Sequence, residues 1–326
     1  MASIRDVAKK AGVGVGTVSR ALNGTGYVSE EAKKKIETAM KELEYTPNEL
    51  ARNLFRNRTG IIGIIVPNME HPFFAGLCRV METALYERGY KTMICNTIGI
   101  SNREKDYLDM LDRSMVDGII TAAHSLDGDE YLKRKKPIIS IDRNFGPEIP
   151  LIGSDHAMGG RMAAEVLIKN GCRKVLQLSN LSPFVLANER HTAFHSIMAK
   201  NDIEVVEAVM DWNNLTYEEH YKVVKEYLRL YPDVDGAFGS DYTAIACLNV
   251  ITAMGKKVPE EFKIVGFDAM NITRMVRPAV TAVRQNIQLL GECCAESIIK
   301  RIEGVETVPY RQILKVEMQY GGTTIQ

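Results

Sequence analysis

The stretch IRDVAKKAGVGVGTVSRALN, residues 4–23, decides the fold of the amino-terminal part of the chain. Its apolar residues recur at helical spacing as far as Gly12, and a second apolar series follows at the same spacing. This pattern predicts two short helices joined by a tight turn. Farther along, Ser29 stands where it would cap a third helix, whose apolar stripe includes Ile36 and Ala39. We therefore expect three short helices around one core.

The glycines within residues 12–16 also occur in dinucleotide-binding loops, but such a loop must follow a strand, and this one follows a predicted helix. A helix-turn-helix fits better, because its second helix enters the major groove with its first residues facing the bases. Thr17 and Ser19 offer hydroxyls to phosphates, and Arg20 can donate two hydrogen bonds to guanine. A three-helix module that binds another protein is the alternative.

Charge is unevenly divided along the chain, although the total of 41 basic and 41 acidic residues is balanced. Residues 1–60 carry eleven Lys and Arg against seven Asp and Glu, which leaves the remainder mildly acidic. A basic head on an acidic body is typical of a module that meets phosphate joined to one that does not. This distribution favours a nucleic-acid partner for the head.

Length and composition indicate a folded chain of two or three domains, with 326 residues, 45% hydrophobic and 25% charged. These values exclude a disordered chain and a fibrous repeat. No apolar run approaches the roughly 18 residues of a membrane span, and residues 1–10 lack a secretory signal, so we expect a cytoplasmic protein without a membrane partner. The six cysteines are scattered, without metal-ligand spacing, so we expect neither a metal site nor a disulfide framework. No motif of the sequence leads us to expect a cofactor.

The segment from Thr46 to Leu54 predicts a fourth, very short helix. Thr46 and Glu49 form a capping box, and Pro47 takes the first helical position. A helix of about eight residues is marginal in water and needs a partner to order it. Leu54 at its end can insert into the minor groove and kink the duplex, or it can contact the domain that follows.

From residue 61 onward, short β-branched segments alternate with amphipathic helical segments, as in Ile61–Val66 and Phe74–Arg88. So many βα units exceed one comfortable sheet, and we expect two parallel-sheet lobes with a cleft between them. The last strand is predicted at Tyr310–Glu317. In open α/β sheets the ligand site lies beyond the carboxyl ends of the strands, so the residues at those ends are the candidates for binding.

Polar and aromatic residues follow several of the predicted strands. Asp142 and Arg143 follow one strand, Asp268 and Gln285 follow two others, and His71-Pro-Phe-Phe74 follows the first. Carboxylates, a guanidinium, an amide and aromatic rings together suit a polyol, which needs hydrogen-bond partners around its rim and a cover for its apolar face. A structural explanation stands beside this one, since an aspartate after a strand is as often a helix cap and a phenylalanine is more often core.

The motifs IRDVAKKAGV (4–13), TVSR (17–20), YTPN (45–48) and ARNL (51–54) resemble the head and hinge of the LacI/GalR family of bacterial transcription regulators. The resemblance implies that the second helix reads the major groove, that polar side chains bind phosphates, and that paired hinge helices insert a leucine into the minor groove. The residues that it places on DNA are Ser3, Val15, Gly16, Thr17, Ser19, Arg20, Asn23, Tyr27, Ser29, Asn48, Ala51, Arg52 and Leu54.

Three positions at the start of the recognition helix depart from the family pattern. Gly14 replaces the usual capping serine, and Val15 and Gly16 stand where larger or polar residues are common. Val15 can contact only a thymine methyl and Gly16 offers no side chain, so direct readout would rest largely on Arg20 and Leu54. We therefore expect a less discriminating head.

The rest of the chain resembles the periplasmic sugar-binding-protein fold of the same family. Most of a ribose-type contact set is present, whereas stretches such as Gly153-Ser-Asp155 are similar to sucrose-operon repressors. His71 departs from the pattern, since the matching position is often Asn, and an imidazole there would make the site pH-sensitive. The sugar contacts implied by the resemblance are His71, Phe73, Phe74, Asp142, Arg143, Arg190, Ser240, Asp268 and Gln285.

These features together predict a regulator of carbohydrate genes. Its parts would be a helix-turn-helix domain at 1–45, a hinge helix and linker at 46–60, and an effector-binding and dimerisation domain at 61–326, with lobes at about 61–158 plus 288–318 and 159–287 plus the carboxyl-terminal tail. A homodimer would bind a palindromic operator in double-stranded DNA and leave it when a small sugar or sugar phosphate binds.

Two other functions compete with this prediction. One is a catabolite regulator that binds a phosphorylated carrier protein as co-repressor through Thr273–Pro278, a segment that looks like the partner-binding region of that subfamily. The other is a sugar-acting enzyme. Against an enzyme, the sequence has no nucleophile elbow, no phosphate loop and no metal-ligand spacing.

Overall fold

The computed structural model describes residues 2–24, 26–46, 58–98, 100–123, 125–180, 185–211, 215–305 and 309–325, without the side chains of 101, 102 and 180. The chain forms two compact units, Met1–Gly60 and Ile61–Gln326. The predicted hinge helix, with its candidate DNA contacts Asn48, Ala51, Arg52 and Leu54, lies outside the described residues.

The first unit holds three helices, α1 (Ile4–Ala11), α2 (Val15–Asn23) and α3 (Glu30–Glu42). Gly12 ends α1 with a φ of 66°, the left-handed conformation that favours glycine at a tight turn. Val7, Val18 and Ile36, one from each helix, are buried in a shared core. The prediction of a helix-turn-helix with a third packing helix is confirmed.

The second unit alternates strands and helices. The first half contains β1 (Ile61–Val66), α4 (Pro72–Tyr86), β2 (Lys91–Asn96), α5 (Ser101–Leu108), β3 (Gly118–Thr121), α6 (Gly128–Leu132), β4 (Ile138–Ile141), β5 (Leu151–Ser154) and α7 (His156–Lys169). The second half contains β6 (Lys174–Asn180), α8 (Asn188–Lys200), β7 (Glu204–Met210), α9 (Tyr217–Leu230), β8 (Gly236–Phe238), α10 (Asp241–Ala253), β9 (Lys263–Asp268), α11 (Ile272–Met275), β10 (Thr281–Arg284), α12 (Ile287–Ile302), β11 (Arg311–Leu314) and β12 (Glu317–Gln319).

These strands form two six-stranded sheets, one in each lobe. The order is β11-β5-β4-β3-β1-β2 in the first sheet and β12-β10-β9-β8-β6-β7 in the second. Every pair is parallel except β10 with β12, so the prediction of two parallel-sheet lobes is confirmed. The chain passes from one sheet to the other after β5, after β10 and after β11.

The strand predicted at Tyr310–Glu317 is not a single element. It divides into β11, which pairs with β5 in the first sheet, and the start of β12, which pairs with β10 in the second. The division has a topological reason, because the chain crosses between the lobes at residues 315 and 316.

Helices cover both faces of each sheet and bury its apolar strands. In the first lobe, α4 and α12 pack on one face through residues such as Leu77 and Ile298. In the second lobe, α9 and α10 pack on one face, and α7 and α8 pack on the other through Leu167 and Phe194. Among the residues that the structure describes, no helix is long and apolar enough to span a membrane, and no cluster of His, Cys, Asp or Glu could hold a metal ion.

Candidate functional site

A cavity of about 110 Å3 lies between the two lobes of the second unit, at the carboxyl ends of their strands. The chain turns into this cavity just after β4, at Asp142, and at the end of β9, at Asp268. Its wall contains eight of the nine predicted sugar contacts, namely His71, Phe73, Phe74, Asp142, Arg190, Ser240, Asp268 and Gln285.

Arg143, the ninth predicted contact, does not line the cavity. Its guanidinium carbon lies 4.6 Å from the centroid of Phe145, and its Nη2 donates a hydrogen bond to the carbonyl oxygen of Leu126 at 2.5 Å. These two contacts hold the Arg143 side chain outside the lining of the cavity. Its assignment as a sugar contact stays a prediction.

The carboxylate of Asp142 is ionised and fixed in place. Its Oδ1 lies 3.0 Å from Nε2 of His156 and accepts a hydrogen bond from the backbone amide of Ser154 at 3.3 Å. Burial acts to raise the pKa of Asp142, but His156, the Ser154 amide and Arg190 outweigh burial and hold the pKa below its usual value. The φ of Asp142 is 56°, a conformation that costs a non-glycine residue roughly 1 kcal/mol or more and is common at functional sites.

Arg190 and His156 both pack on the ring of Phe267. The guanidinium carbon of Arg190 lies 4.5 Å from the ring centroid, and the imidazole of His156 stacks at 5.5 Å with an interplanar angle of 19°. Close packing of α7 on α8 brings these side chains together, because Gly160 has no room for a Cβ, which would overlap the carbonyl oxygen of Arg190. The two helices thus supply a cation and an imidazole to the same part of the wall.

Asp268 forms the second acidic group of the cavity. Its Oδ1 accepts a hydrogen bond from Nε2 of Gln285 at 2.7 Å, and Nη1 of Arg190 lies 3.6 Å from the same oxygen. Burial raises the pKa of Asp268, although Arg190 and Gln285 favour the carboxylate. Its φ of 102° is again unusual for a residue other than glycine.

His71 is neutral at physiological pH. Burial, with smaller effects from the nearby His220 and Arg190, lowers the pKa of His71 to about 3. The expectation that His71 makes the site pH-sensitive is therefore wrong in the physiological range, because the imidazole is too poorly solvated to take up a proton there. Its ring lies 5.5 Å from that of Phe74 on the same wall.

His220 and Ser240 form a hydrogen-bonded pair at another side of the cavity. Nδ1 of His220 lies 2.7 Å from the carbonyl oxygen of Thr216, which can only accept, so Nδ1 carries the proton. Burial lowers the pKa of His220 and keeps the ring neutral, so Nε2 accepts, and the Ser240 hydroxyl at 3.3 Å donates to it. Ser240 also accepts the amide of Thr243 at 3.4 Å, which caps α10.

Several buried polar atoms around this cavity have no hydrogen-bond partner among the described residues. These atoms are Nδ1 of His71, Nδ1 of His156, Nε and Nη1 of Arg190, and Oε1 of Gln285. Each belongs to a side chain that lines the cavity. Because buried polar groups are normally paired, their concentration in one place indicates a site for a ligand with several hydrogen-bonding groups.

Sequence reasoning missed other residues of the wall. Among these, His156 and His220 are the two with titratable side chains. Each stands within the first turns of a helix, so the rule that polar residues follow strands does not reach it. The proximity of His156 to Asp142 depends on how α7 leaves the first sheet, which spacing alone does not indicate. The remaining missed residues are Pro67, Ala122, Ile141, Val185, Ala187, Asn188 and Leu215.

In the first unit, the predicted DNA contacts divide by exposure. Tyr27 is 90% exposed and Val15 is 43% exposed. Thr17 and Ser19 are half-buried. The predicted contacts on the surface are Ser3, Val15, Gly16, Arg20, Tyr27 and Ser29.

Several of the predicted polar contacts have hydrogen bonds within the head. Ser3 forms a capping box with Asp6 at the start of α1, and Ser29 accepts the amide of Ala32 at the start of α3. Asn23 is buried, and its Nδ2 donates to the hydroxyl of Ser19 at 3.2 Å. Structural and binding roles are compatible for Ser3 and Ser29, which lie at helix amino termini where backbone amides attract phosphate.

The amino end of α2 has the weak cap that the sequence predicts. Gly14 occupies the N-cap position with extended backbone angles and makes no side-chain hydrogen bond to the helix. Arg20 lies on the exposed side of the same helix and donates from Nη2 to the hydroxyl of Thr17 at 3.4 Å. The exposed surface of α2 therefore offers the methyl groups of Val15 at its start and the guanidinium of Arg20 in its last turn.

Comparison with known proteins gives matches to both units. The profile of bacterial regulatory proteins, lacI family, matches residues 3–48, and that of the periplasmic binding protein-like domain matches residues 164–324. The chain is 34% identical to the ribose operon repressor of Halalkalibacterium halodurans, over 99% of this chain and 97% of that protein. It is 37% identical to the sucrose operon repressor of Streptococcus mutans, over 98% and 99% of the two chains.

A solved structure extends the comparison to a bound sugar. A periplasmic binding protein/LacI transcriptional regulator from Alkaliphilus metalliredigens, complexed with D-xylulofuranose, superposes with a TM-score of 0.73 and is 29% identical. The match covers 82% of this chain and all of that one.

Proposed function

The chain belongs to the LacI family of bacterial regulatory proteins, and from this we propose that it represses a carbohydrate-utilisation operon and leaves its operator when a small unphosphorylated sugar binds. Proteins of this family are DNA-binding transcription regulators, so the chain is a regulator and not an enzyme. Ribose and sucrose operon repressors are among its relatives.

The observation that carries the proposal is a set of buried atoms on His71, His156, Arg190 and Gln285 that have no hydrogen-bond partner among the described residues. Leaving such an atom unpaired costs about 1–3 kcal/mol each. The set contains donors and an acceptor, and the hydroxyls of a sugar can donate and accept at the same time. One polyol in the cavity would pair them together, while the ring of Phe74 would cover its apolar face.

The charges around the cavity favour an unphosphorylated sugar over a sugar phosphate. Two carboxyl groups, on Asp142 and Asp268, line the cavity, and Arg190 is the guanidinium among its lining residues. A phosphate carries a charge of about −1.5 to −2 at neutral pH and would lie close to the ionised Asp142. Hydroxyl groups, in contrast, donate well to carboxylates.

We assign residues 1–45 to operator binding, 46–60 to the hinge and linker, and 61–326 to sugar binding and dimerisation. A homodimer presents two heads to a palindromic operator, acting on DNA in the cytoplasm. Sugar held between the lobes would change their separation and, through the hinge, the spacing of the heads. By linkage, operator and sugar must weaken each other's binding by the same factor.

A thermal-shift screen of the full chain tests the effector class. The panel contains D-ribose, D-xylulose, D-fructose, sucrose and cellobiose, each beside a phosphorylated counterpart where one exists. A ligand that binds the folded state raises the unfolding temperature by mass action, so we expect a shift with one unphosphorylated sugar and none with its phosphate. Arg190→Ala should abolish the shift.

A larger shift with a phosphate would overturn the charge argument. A flat screen combined with intact operator binding would instead favour the phosphorylated carrier protein as effector. In that case the segment around Arg277, where Met275 is 75% exposed, becomes the surface to mutate.

A further inference from the structure

Asp241, the first residue of α10, is buried and does not line the cavity. Its Oδ1 accepts a hydrogen bond from the backbone amide of Ala269 at 3.1 Å, and its Oδ2 accepts one from the amide of Met270 at 2.7 Å. A single carboxylate therefore holds two successive amides of the turn that follows β9. The approach is close because Gly266 has no side chain, and a Cβ there would lie 3.2 Å from Oδ1 of Asp241.

The turn held by Asp241 has an unfavourable backbone. Asp268 has a φ of 102° and Ala269 a φ of 54°, and neither residue is glycine. Such angles persist only where surrounding contacts impose them. The two amides that donate to Asp241 belong to the residues that follow Asp268 directly. These hydrogen bonds therefore fix the backbone that determines where the Asp268 carboxyl group lies.

The same turn reaches the other lobe. Met270 packs against the core of the first lobe, and its methyl carbon would lie 2.6 Å from a Cβ at position 76 of α4. Gly76 thus leaves the space that Met270 occupies. Because the Met270 amide is bonded to Asp241, one carboxylate fixes both an acidic group of the cavity and a contact between the lobes.

We propose, on the basis of the function proposed above, that Asp241 is a positioning residue of the sugar site. It holds the turn of residues 268–270 so that Asp268 faces the cavity and Met270 lies against the first lobe. Asp241 does not touch the sugar and acts through these two residues.

The test is a rescue experiment on the full chain with D-ribose as the first probe. In Asp241→Asn one amide hydrogen bond is lost, because the side-chain NH2 opposes a backbone N–H. We expect sugar affinity to fall by about tenfold and the amides of residues 269 and 270 to exchange faster with solvent. Adding Ala269→Gly removes the backbone conflict at φ 54° and should restore much of the affinity.

The matched control is Asp235→Asn. Asp235 lies in the same lobe, and its carboxylate also accepts hydrogen bonds from two successive amides, those of Arg173 and Lys174, but it does not line the cavity. We expect this variant to lose stability and to keep its sugar affinity. An equal loss of affinity in both variants, or no rescue by Ala269→Gly, would overturn the proposal.

The outcome separates this proposal from the proposed function. If neither D-ribose nor another sugar of the screen binds the unmodified chain, the proposed function fails. Hydrogen exchange of the amides would still test whether Asp241 holds the turn of residues 268–270. Exchange at residues 269 and 270 that is unchanged by Asp241→Asn would show that Asp241 does not hold the turn. Faster exchange confined to those residues would support it.

Discussion

At the scale of single residues, burial decides the charge of three histidines, two of which, His71 and His220, line the cavity. The pKa values of His71, His191 and His220 are all lowered, first of all because burial disfavours the charged imidazolium. Asp142 stays ionised beside them because neighbouring groups favour its charge. The cavity therefore combines neutral imidazoles with a carboxylate, a mixture suited to hydroxyl groups.

We predict that His71→Asn reduces the acid sensitivity of folding. The pKa of His71 is about 3 in the folded chain and about 6.5 in the unfolded chain, so only the unfolded state takes up this proton between those values. Its contribution to stability is complete above pH 6.5 and is lost as the pH falls. Between pH 7.5 and 5 this contribution to the free energy of unfolding falls by about 2 kcal/mol. His71→Asn should not show this fall.

Urea unfolding at several pH values measures this difference. His195→Asn, which makes the same replacement at an exposed histidine of α8, serves as the matched control. Parallel curves for the unmodified chain and His71→Asn would contradict the prediction.

Much of the candidate site could be predicted residue by residue, and there are physical reasons why the rest of it could not. Asp142, Asp268 and Gln285 were reachable because parallel strands bring their carboxyl ends together. Arg143 does not line the cavity, and spacing does not say which of two neighbouring residues does. His156 was missed because its partner Asp142 lies in another element, and only the packed fold brings them together.

At the scale of elements, the contact of α7 with α8 positions the site. We predict that Gly160→Ala lowers the free energy of unfolding by about 2 kcal/mol, because its methyl group would overlap the carbonyl oxygen of Arg190. Since α8 must move to make room, sugar affinity should fall as well. Chemical unfolding and calorimetric titration measure the two effects.

Gly128→Ala is the control for this prediction. A Cβ at Gly128 would lie 3.5 Å from the ring of Phe145, an ordinary contact distance, so stability should change little. Equal behaviour of the two alanine variants would show that the close approach at Gly160 is unimportant.

In the head, we predict that Gly14→Ser stabilises α2. Gly14 has the extended backbone angles of an N-cap, and a serine hydroxyl there would accept the amide of Thr17. A gain of a few tenths of a kcal/mol should slow hydrogen exchange of the first α2 amides by about twofold. Gly16→Ala, within the helix, is the comparison that changes propensity without adding a cap. Unchanged exchange in Gly14→Ser would contradict the capping argument.

The elements themselves were predictable where their pattern was strong. β1 reads IIGIIV and is almost wholly buried, and its predicted bounds coincide with the observed ones. β5 has only four residues, and β7 is an edge strand with alternating exposure, so neither has the apolar run that marks a central strand. The hinge helix, predicted from its capping box, stays a prediction.

At the scale of the whole molecule, contacts between the lobes accompany the cavity. The hydroxyl of Tyr242 in the second lobe donates to the carbonyl oxygen of Glu70 in the first at 3.2 Å, and its ring lies 5.3 Å from that of His71. We predict that Tyr242→Phe, which removes only the hydroxyl, weakens sugar binding by about two- to tenfold. Calorimetric titration with the sugar measures the effect. Tyr221→Phe, which removes the hydroxyl of another tyrosine in the second lobe, is the control. Equal affinities of the two variants would contradict it.

We propose above all that a sugar in the cavity controls the affinity of the head for operator DNA. Fluorescence anisotropy of a labelled palindromic duplex, selected in vitro with the full chain, measures this affinity with and without the sugar found by the screen. We expect the sugar to weaken operator binding about tenfold or more in the unmodified chain and to have no effect in Arg190→Ala. A sugar that binds the unmodified chain but leaves its operator affinity unchanged would rule out this mechanism.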